Sequence, residues 1–377
     1  MKLESMFPQN NLVFIGNSLV SISQSAKKLN KRVINIDSFN DTDLVGENFI
    51  NSDQRGYVNQ DVLLVLEKLN LRKNDTLIVV SGEYDSDKDY YNELSEFGYI
   101  AGNKQSTIQE IYNHEKLFSK LSKNNIKFPK KISPDEAKKS KNFLKKNFYS
   151  SGGLGIQKNI IQKQKKKTDF YQAYIEGDVF SIIFISNKDK KFSIVGVNKI
   201  FSKNTNLSDF TFSGARSNVL LDKKYMKRLE HMINFFVSEY GLVGINGIDF
   251  IIKDDIYFLE INPRITQTCF MYDDLFFNGF IEAHIEACAQ NSISFNLKDR
   301  VISYAFETMF AKNSFKFNLD LDKFNFLMNI PHKNTFIEVG HPICTICIKS
   351  TKTDDLQMLL KEKVDFFKRE LNNAEIV

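Results

Sequence analysis

Residues 257–264 read YFLEINPR. Side chains alternate between the faces of a strand, so Glu260, Asn262 and Arg264 point the same way. The same alternation puts Phe258 on their face and sends Leu259 and Ile261 to the other. Three polar groups on one face of an apolar strand are costly to bury unless something binds there. Immediately upstream lies GINGIDFIIK, separated from IYFLEINPR by Asp254 and Asp255. Two apolar runs around so short a polar turn predict a hairpin, which brings Asp249 close to Glu260 and Asn262.

Carboxylates with an amide oxygen are hard donors of the kind magnesium takes, with phosphate oxygens completing the shell. Without a cation the two acids repel, and one pKa rises. The plainer alternative is an exposed hairpin whose acids are solvated. Two further stretches bear on the choice. SSGGLGI (150–156) is a glycine-rich turn able to present successive N–H groups to phosphate, though it lacks the GxxxxGK[ST] spacing of a P-loop. Lys146 stands just ahead of it, where it can reach phosphate from a strand. YQAYIEGDV (171–179) reads as an extended link between two lobes. Its backbone would meet an adenine edge while Tyr174 and Ile175 sandwich the ring.

The bulk properties are those of an ordinary globular protein: 377 residues, 42% hydrophobic and 26% charged. This length predicts two or three domains. No apolar stretch approaches the ~18–20 residues that cross a bilayer, so no membrane partner is expected. The start, MKLESMFPQNNLVFIGNS, is interrupted by Glu4, Pro8 and Asn10, which argues against a signal peptide and for a cytoplasmic location. Net charge is +5, with basic runs at Lys163, Lys165, Lys166 and Lys167 and at Lys138, Lys139, Lys141, Lys145 and Lys146. No nucleic-acid module accompanies them, and they read as solvated faces. The four cysteines suit a reducing compartment. Cys344 and Cys347, near His341, have a zinc-like spacing, but three residues along a strand they face opposite ways and read as core. His284 and Cys288, one helical turn apart, read as structural.

Along the chain, NLVFIGNS, a helical LVSISQSAKKLNKR and VINIDSF begin a parallel α/β layer that TLIVVSG continues. Residues 1–105 are expected to form a Rossmann-like lobe, although the full GxGxxG is absent. One helix is expected over 107–125, with Ile108, Ile111, Tyr112, Leu117, Phe118 and Leu121 on its buried side. A second is expected from Ser133 or Asp135. Residues 106–175 are expected to form a second, small lobe. Residues 176–300 are expected to form a larger one with the hairpin FSIIFIS/KFSIVGVN and an amphipathic helix stopped by Gly241. Residues 301–377 form a closing layer of two strands and a charged helix. The fold class is α/β, with α+β character in the central part.

In order along the chain, Lys116, Lys146, the glycine turn, the extended link, Asp249 and Glu260–Arg264 resemble the ATP-grasp superfamily of carboxylate–amine ligases, which includes biotin carboxylase. Within it the chain is similar to biotin-carboxylase-related carboligases such as a tyramine–glutamate ligase of methanofuran synthesis. The resemblance implies a pre-ATP-grasp domain at 1–105 followed by the ATP-grasp fold, with a small nucleotide-binding lobe at 106–175 and a catalytic lobe bearing the magnesium site at 176–300. It implies ATP as cosubstrate, with Mg2+ or alternatively Mn2+ held by Asp249, Glu260 and Asn262. Lys116 and Lys146 would contact phosphates, Gly152, Gly153 and Gly155 would close over them, and Gln172, Tyr174 and Ile175 would hold adenine. Arg264 would face the transferred phosphate or the substrate carboxylate, with Arg216 and Lys199 as further substrate contacts. The implied activity joins a carboxylic acid, amino-acid-like and with glutamate as a candidate, to an amine through an acylphosphate. The alternatives are a carboxylase using carboxyphosphate and a non-catalytic ATP-binding scaffold. Partners would be small molecules rather than nucleic acid or membrane, with a homodimer as the default assembly. The chain departs from the family pattern at Asn147, Gln172 and Val179.

Overall fold

The computed structural model describes residues 7–50, 59–82, 89–147, 152–161, 169–205, 208–290, 302–319, 324–352 and 355–374. The run Lys163–Lys167, Ser150 and Ser151 lie outside these residues.

The N-terminal lobe is a five-stranded parallel sheet of β1 (Asn11–Gly16), β2 (Arg32–Asp37), β3 (Glu47–Ile50), β4 (Thr76–Ser81) and β5 (Tyr99–Ile100), in the order β3-β2-β1-β4-β5. Parallel strands need crossovers, supplied here by α1 (Val20–Ala26), α2 (Asn59–Leu69) and α3 (Tyr90–Leu94). Leu12–Ile15 of the central strand are all apolar because both its faces are covered. Val13 and Ile15 pack toward α2 and α3 with Val62, Leu66 and Leu94. Leu12 and Phe14 belong to a second core that continues into the large sheet at Ile183 and Ile245. The lobe is thus fused to the rest of the molecule through a shared apolar interior.

The helix expected over 107–125 is two helices, α4 (Gln105–Tyr112) and α5 (His114–Lys123). Asn113 interrupts the run: its side-chain oxygen accepts from the Lys116 backbone N–H at 3.3 Å, which makes it the cap of α5 rather than an interior residue. The break lets one apolar stripe serve two cores, with Ile108 in the N-terminal lobe and Ile111, Leu117 and Leu121 under the large sheet. After β6 (Lys131–Ile132), α6 (Pro134–Lys139) starts at a capping box of Ser133 and Glu136. Strands β7 (Phe143–Asn147), β8 (Gln157–Lys158) and β9 (Asp169–Ala173) complete a four-stranded sheet ordered β6-β9-β7-β8.

The large sheet has eight strands, ordered β14-β13-β10-β11-β12-β15-β19-β17. These are β10 (Asp178–Ser186), β11 (Phe192–Lys203), β12 (Thr211–Arg216), β13 (Gly244–Ile252), β14 (Ile256–Asn262), β15 (Ser303–Phe310), β17 (Leu327–Met328) and β19 (Pro342–Ser350). Two short strands, β16 (Phe315–Lys316) and β18 (Phe336–Ile337), pair separately. One face carries α7 (Lys223–Tyr240), which buries Leu229, Ile233 and Phe236 against Ile182, Ile248 and Phe258 and ends at Gly241, whose φ of 62° only glycine adopts freely. The other face meets the shared core, α8 (Phe280–Ala289) and the 3-10 segment Gln267–Leu275. The C-terminal helix α9 (Leu356–Ala374) packs Leu360, Val364 and Phe367 over β15 and β19. Strands β15 and β19 continue the large sheet through the β12–β15 pairing.

The β13–β14 hairpin departs from simple alternation. Asp249 pairs with Glu260 but Phe250 pairs with Phe258, so Leu259 is an extra residue in the ladder. This bulge reverses the expected placement of two side chains. Phe258 faces away from Glu260 into the core against Phe236, and Leu259 turns toward the cleft. Cys344 and Cys347 do separate: Cys344 belongs to the α9 core and Cys347 to the edge of the shared core.

Three acids, Asp37, Asp41 and Asp43, cluster at and after the end of β2, and Asp43 ties the N-terminal lobe to the C-terminal part. Asp43 accepts from the backbone N–H of Asn329 and Ile330, both at 3.0 Å. Asp37 accepts from the N–H groups of Leu19, Phe39 and Asn40. Burial, then Asp37 and Asp43, push Asp41 up to about 8. Its folded pKa lies above its unfolded value of ~3.9, so its favourable contribution is lost as pH rises between those values. Asp41→Asn should therefore match the parent near pH 4 and exceed it in denaturant midpoint at pH 8; equal midpoints at pH 8 would contradict the assignment.

Candidate active site

A cavity of about 510 Å³ lies between the four-stranded sheet, the cleft face of the large sheet and the ends of two N-terminal strands. Strand parity decides what faces it. On β7, Leu144 and Lys146 line the cavity, while Lys145 turns to the back and meets Asp169 at 3.7 Å. On β10, β13 and β14 the facing residues are Ser181, Asp249 and Glu260, in direct register across three strands.

Asp249, Glu260 and Asn262 form one group at the floor of this cleft. Their surfaces are partly open to the cavity, yet their surroundings are otherwise protein. Burial, followed by the charge of Glu260, holds the Asp249 carboxyl well above the usual carboxylate range. Asn262 Nδ2 donates to Asp249 Oδ2 at 3.3 Å, which leaves its Oδ1 as an acceptor for something else. Across the cleft, burial lowers the Lys146 pKa, while Glu260 and Asp249 oppose that shift. Arg264, next along from β14, lines the same cavity and acts to lower the Asp249 pKa. The donor set, two carboxylates and an amide oxygen that are mutually repulsive without a cation, fits a hard divalent ion.

The glycine turn is docked. Gly152, Gly153 and Gly155 all have φ between 60° and 73°. The Phe212 N–H donates to Gly152 O at 2.8 Å, and Ser208 Oγ donates to Gly153 O at 2.5 Å. A Cβ on Gly153 would stand 1.9 Å from the Phe210 carbonyl oxygen. Gly152 and Gly153 line the cavity, whereas Gly155 lies beyond its lining. The segment from Tyr174 to Gly177 belongs to neither sheet and links β9 to β10. Gln172, Tyr174 and Ile175 all line the cavity. Gln172 Nε2 donates to Pro129 O at 3.0 Å, and Lys158 Nζ sits 3.8 Å from the Tyr174 ring centroid.

Three residues singled out from the sequence stand apart. Lys116 is exposed on α5 and is absent from the described lining. Lys199 pairs with Phe180 and Arg216 with Lys199, and Phe180 pairs with Phe250, so both cations lie on the face opposite Asp249. Lys199 forms an ion pair with Asp178 there, at 2.9 Å. Other groups went unnoticed. His114 borders a smaller cavity of about 60 Å³ behind Lys146 and Glu260; burial and then Lys146 push its pKa down to about 4, so it stays uncharged beside the lysine. The N-terminal lobe contributes Asn17, Ser18, Ser81 and Gly82 to the large cavity. These follow β1 and form the end of β4, and the carboxyl ends of parallel strands are where such sheets bind ligands, so strand order alone pointed to them.

Residues 111–268 match the ATP-grasp domain family. That segment carries an ATP-grasp domain. It is 26% identical over 418 residues to the uncharacterized protein MJ0776 of Methanocaldococcus jannaschii, covering 99% of each chain. Its ATP-grasp fold is shared with the L-amino acid ligase of Bacillus licheniformis (TM-score 0.68, 13% identity, 95% of this chain and 98% of that one). It is shared also with the carboxyaminoimidazole ribonucleotide synthase of Aspergillus clavatus, solved with ATP (TM-score 0.71, 14% identity, 97% and 100%). At these identities the solved structures speak for the fold. Among the described residues, no helix is long and apolar enough to cross a membrane.

The docked glycine turn yields a test. Gly153→Ala combines a backbone clash with a left-handed φ, a strain of about 1–3 kcal/mol. ATP affinity should fall roughly 5- to 150-fold by that strain, measured by fluorescence titration. Gly155→Ala, with open space at its Cβ position, should fall less. Equal affinities for parent and Gly153→Ala would contradict this docking.

Proposed function

We propose that this ATP-grasp protein is an ADP-forming carboxylate–amine ligase, which activates an amino-acid-like acid as an acylphosphate and passes it to an amine. The observation that carries this reading is the opposition of Lys146 to the Asp249–Glu260–Asn262 group across one cleft, with Arg264 at its end. A magnesium ion held there would neutralise charge on the phosphate oxygens.

The chain's own groups supply the rest. Tyr174 and Ile175 give the adenine an apolar seat beside a stretch of backbone outside both sheets. Lys146, its charge supported by Glu260 and Asp249, binds phosphate oxygens from the small sheet. Gly152 and Gly153 bring main-chain N–H groups close to the phosphates, and their docking on Phe210–Phe212 screens the cavity from water. Water exclusion matters because an acylphosphate is hydrolysed readily. Arg264 places a fixed cation where the acid's carboxylate meets the transferring phosphoryl group. Beyond it the hydroxyls and amides of Asn17, Ser18 and Ser81 offer hydrogen bonds to a small polar substrate. Among the described residues lining this cavity, Lys146 and Arg264 are the cations, so a single carboxylate directed at Arg264 is the simplest fit.

Purified protein given ATP and magnesium should release ADP only when a suitable acid and amine are both present in a substrate panel. Asp249→Asn and Glu260→Gln should each reduce that release by at least about a thousandfold, the scale of losing an electrostatic group aimed at the transition state, without unfolding the protein. Full activity in either variant would overturn the proposal. So would magnesium-independent turnover.

A further inference from the structure

Strand β14 stops at Asn262 because Pro263 has no N–H for the ladder. The chain then leaves the sheet with the carbonyls of Pro263 and Ile265 on either side of Arg264. Side chains of the N-terminal lobe and its exit take up both. Asn103 Nδ2 donates to Pro263 O at 2.8 Å. Ser81 Oγ, at the end of β4, donates to Ile265 O at 3.3 Å.

The orientation of the Asn103 amide follows from its partners. The Val243 N–H can only donate, and it reaches Asn103 Oδ1 at 2.9 Å. The nitrogen must then supply the two remaining bonds, to Pro263 O and to Asn246 Oδ1 at 2.7 Å. Asn246 in turn donates to Gly244 O at 2.9 Å. Asn103 is 4% exposed and Asn246 fully buried, so these bonds are made away from competing water. One amide therefore ties the start of β13, the strand of Asp249, to the turn that bears Arg264. The anchor is stiff, since Leu77 and Val79 of β4 share a core with Ile245 and Ile265.

We propose that Asn103 and Ser81 are positioning residues for Arg264: by holding the peptide carbonyls before and after it, the N-terminal lobe sets the line along which the guanidinium enters the cleft. Arg264 has a long side chain, so a small rotation of its backbone is magnified at the charged end, and a displacement of ~1 Å at a reacting centre is enough to lower rate by about a hundredfold. The proposal rests on the reading of Arg264 as the group that meets the transferred phosphate. It adds a role for a lobe whose cleft residues would otherwise serve only to bind substrate.

The test compares, in magnesium, an ATP analogue with a non-hydrolysable β–γ bridge against ADP. The difference in affinity isolates what the site supplies to the third phosphate. Asn103→Asp keeps size and the acceptor oxygen but removes both N–H donors. It should lose on the order of tenfold of the analogue's advantage, the scale of two buried hydrogen bonds, with ADP affinity unchanged. Ser81→Ala is the milder variant and should lose a smaller part, so the test stands even where Asn103→Asp folds poorly. In an Arg264→Gln background neither change should matter further, because both act through that side chain. A merely structural role would lower the melting temperature and weaken both nucleotides together. Retention of the full advantage in both variants, or losses that persist in the Arg264→Gln background, would overturn the positioning role and leave the ligase reading intact. A parent protein with no preference for the analogue, unaltered by Arg264→Gln, would instead overturn the reading of Arg264, and the positioning role with it.

Discussion

Two carboxylates on neighbouring strands, facing the same way and partly removed from water, repel each other. The arrangement survives only if a proton or a cation sits between them. Asp249 and Glu260 are in this position, and the surrounding structure holds them together while offsetting the repulsion only in part. The α7 core fixes β13 and β14 from behind through Phe236, Phe250 and Phe258. The bulge at Leu259 keeps Glu260 in register with Asp249 while letting Phe258 remain in that core. Asn262 donates to one of the carboxylates, and Lys146 answers both from the opposite sheet. A fold that keeps such a partly offset pair facing a cavity gives up stability where a cation could be held.

The rest of the molecule is arranged around that floor. The small sheet brings Lys146 by strand parity and the glycine turn by its docking on the segment before β12. The N-terminal lobe is no loose appendage: its sheet shares an apolar core with β10, β13 and α8, and its Asp43 holds the backbone at Asn329 and Ile330. His284 belongs to this same junction. Its Nδ1 accepts from the Ile245 N–H at 2.9 Å and its Nε2 lies 3.1 Å from the Ala101 oxygen, so its partners are structural, and burial keeps it neutral by pushing its pKa down to about 4. The lobe therefore presents Asn17, Ser18 and Ser81 to the cleft from a frame continuous with the sheet that bears the acids.

Much of this was legible in the residues alone. The hairpin, the grouping of Asp249 with Glu260 and Asn262, the Rossmann-like opening and the amphipathic α7 follow from alternation, helical spacing and turn residues. What escaped has specific causes. A bulge shifts parity by one residue, and nothing in YFLEINPR marks Leu259 as the extra one. Asn113 looked like one more polar position on a long helix, since a cap differs from an interior asparagine only by a backbone angle. Lys199 and Arg216 were plausible as nearby cations, but their face depends on a register running through β10, β11 and β12. Lys116 fits the family order and yet stands exposed. Asn103 and Ser81 act through long-range hydrogen bonds to a turn 160 and 184 residues away, a relation that no local pattern encodes.

The most direct test of the account is the location of the cation. Crystals grown with manganese and a non-hydrolysable ATP analogue should show an anomalous scattering peak within coordination distance of Asp249, Glu260 and Asn262 and beside the analogue's phosphates. A nucleotide bound in the cleft with manganese placed elsewhere, or with these three side chains turned away from it, would contradict the account.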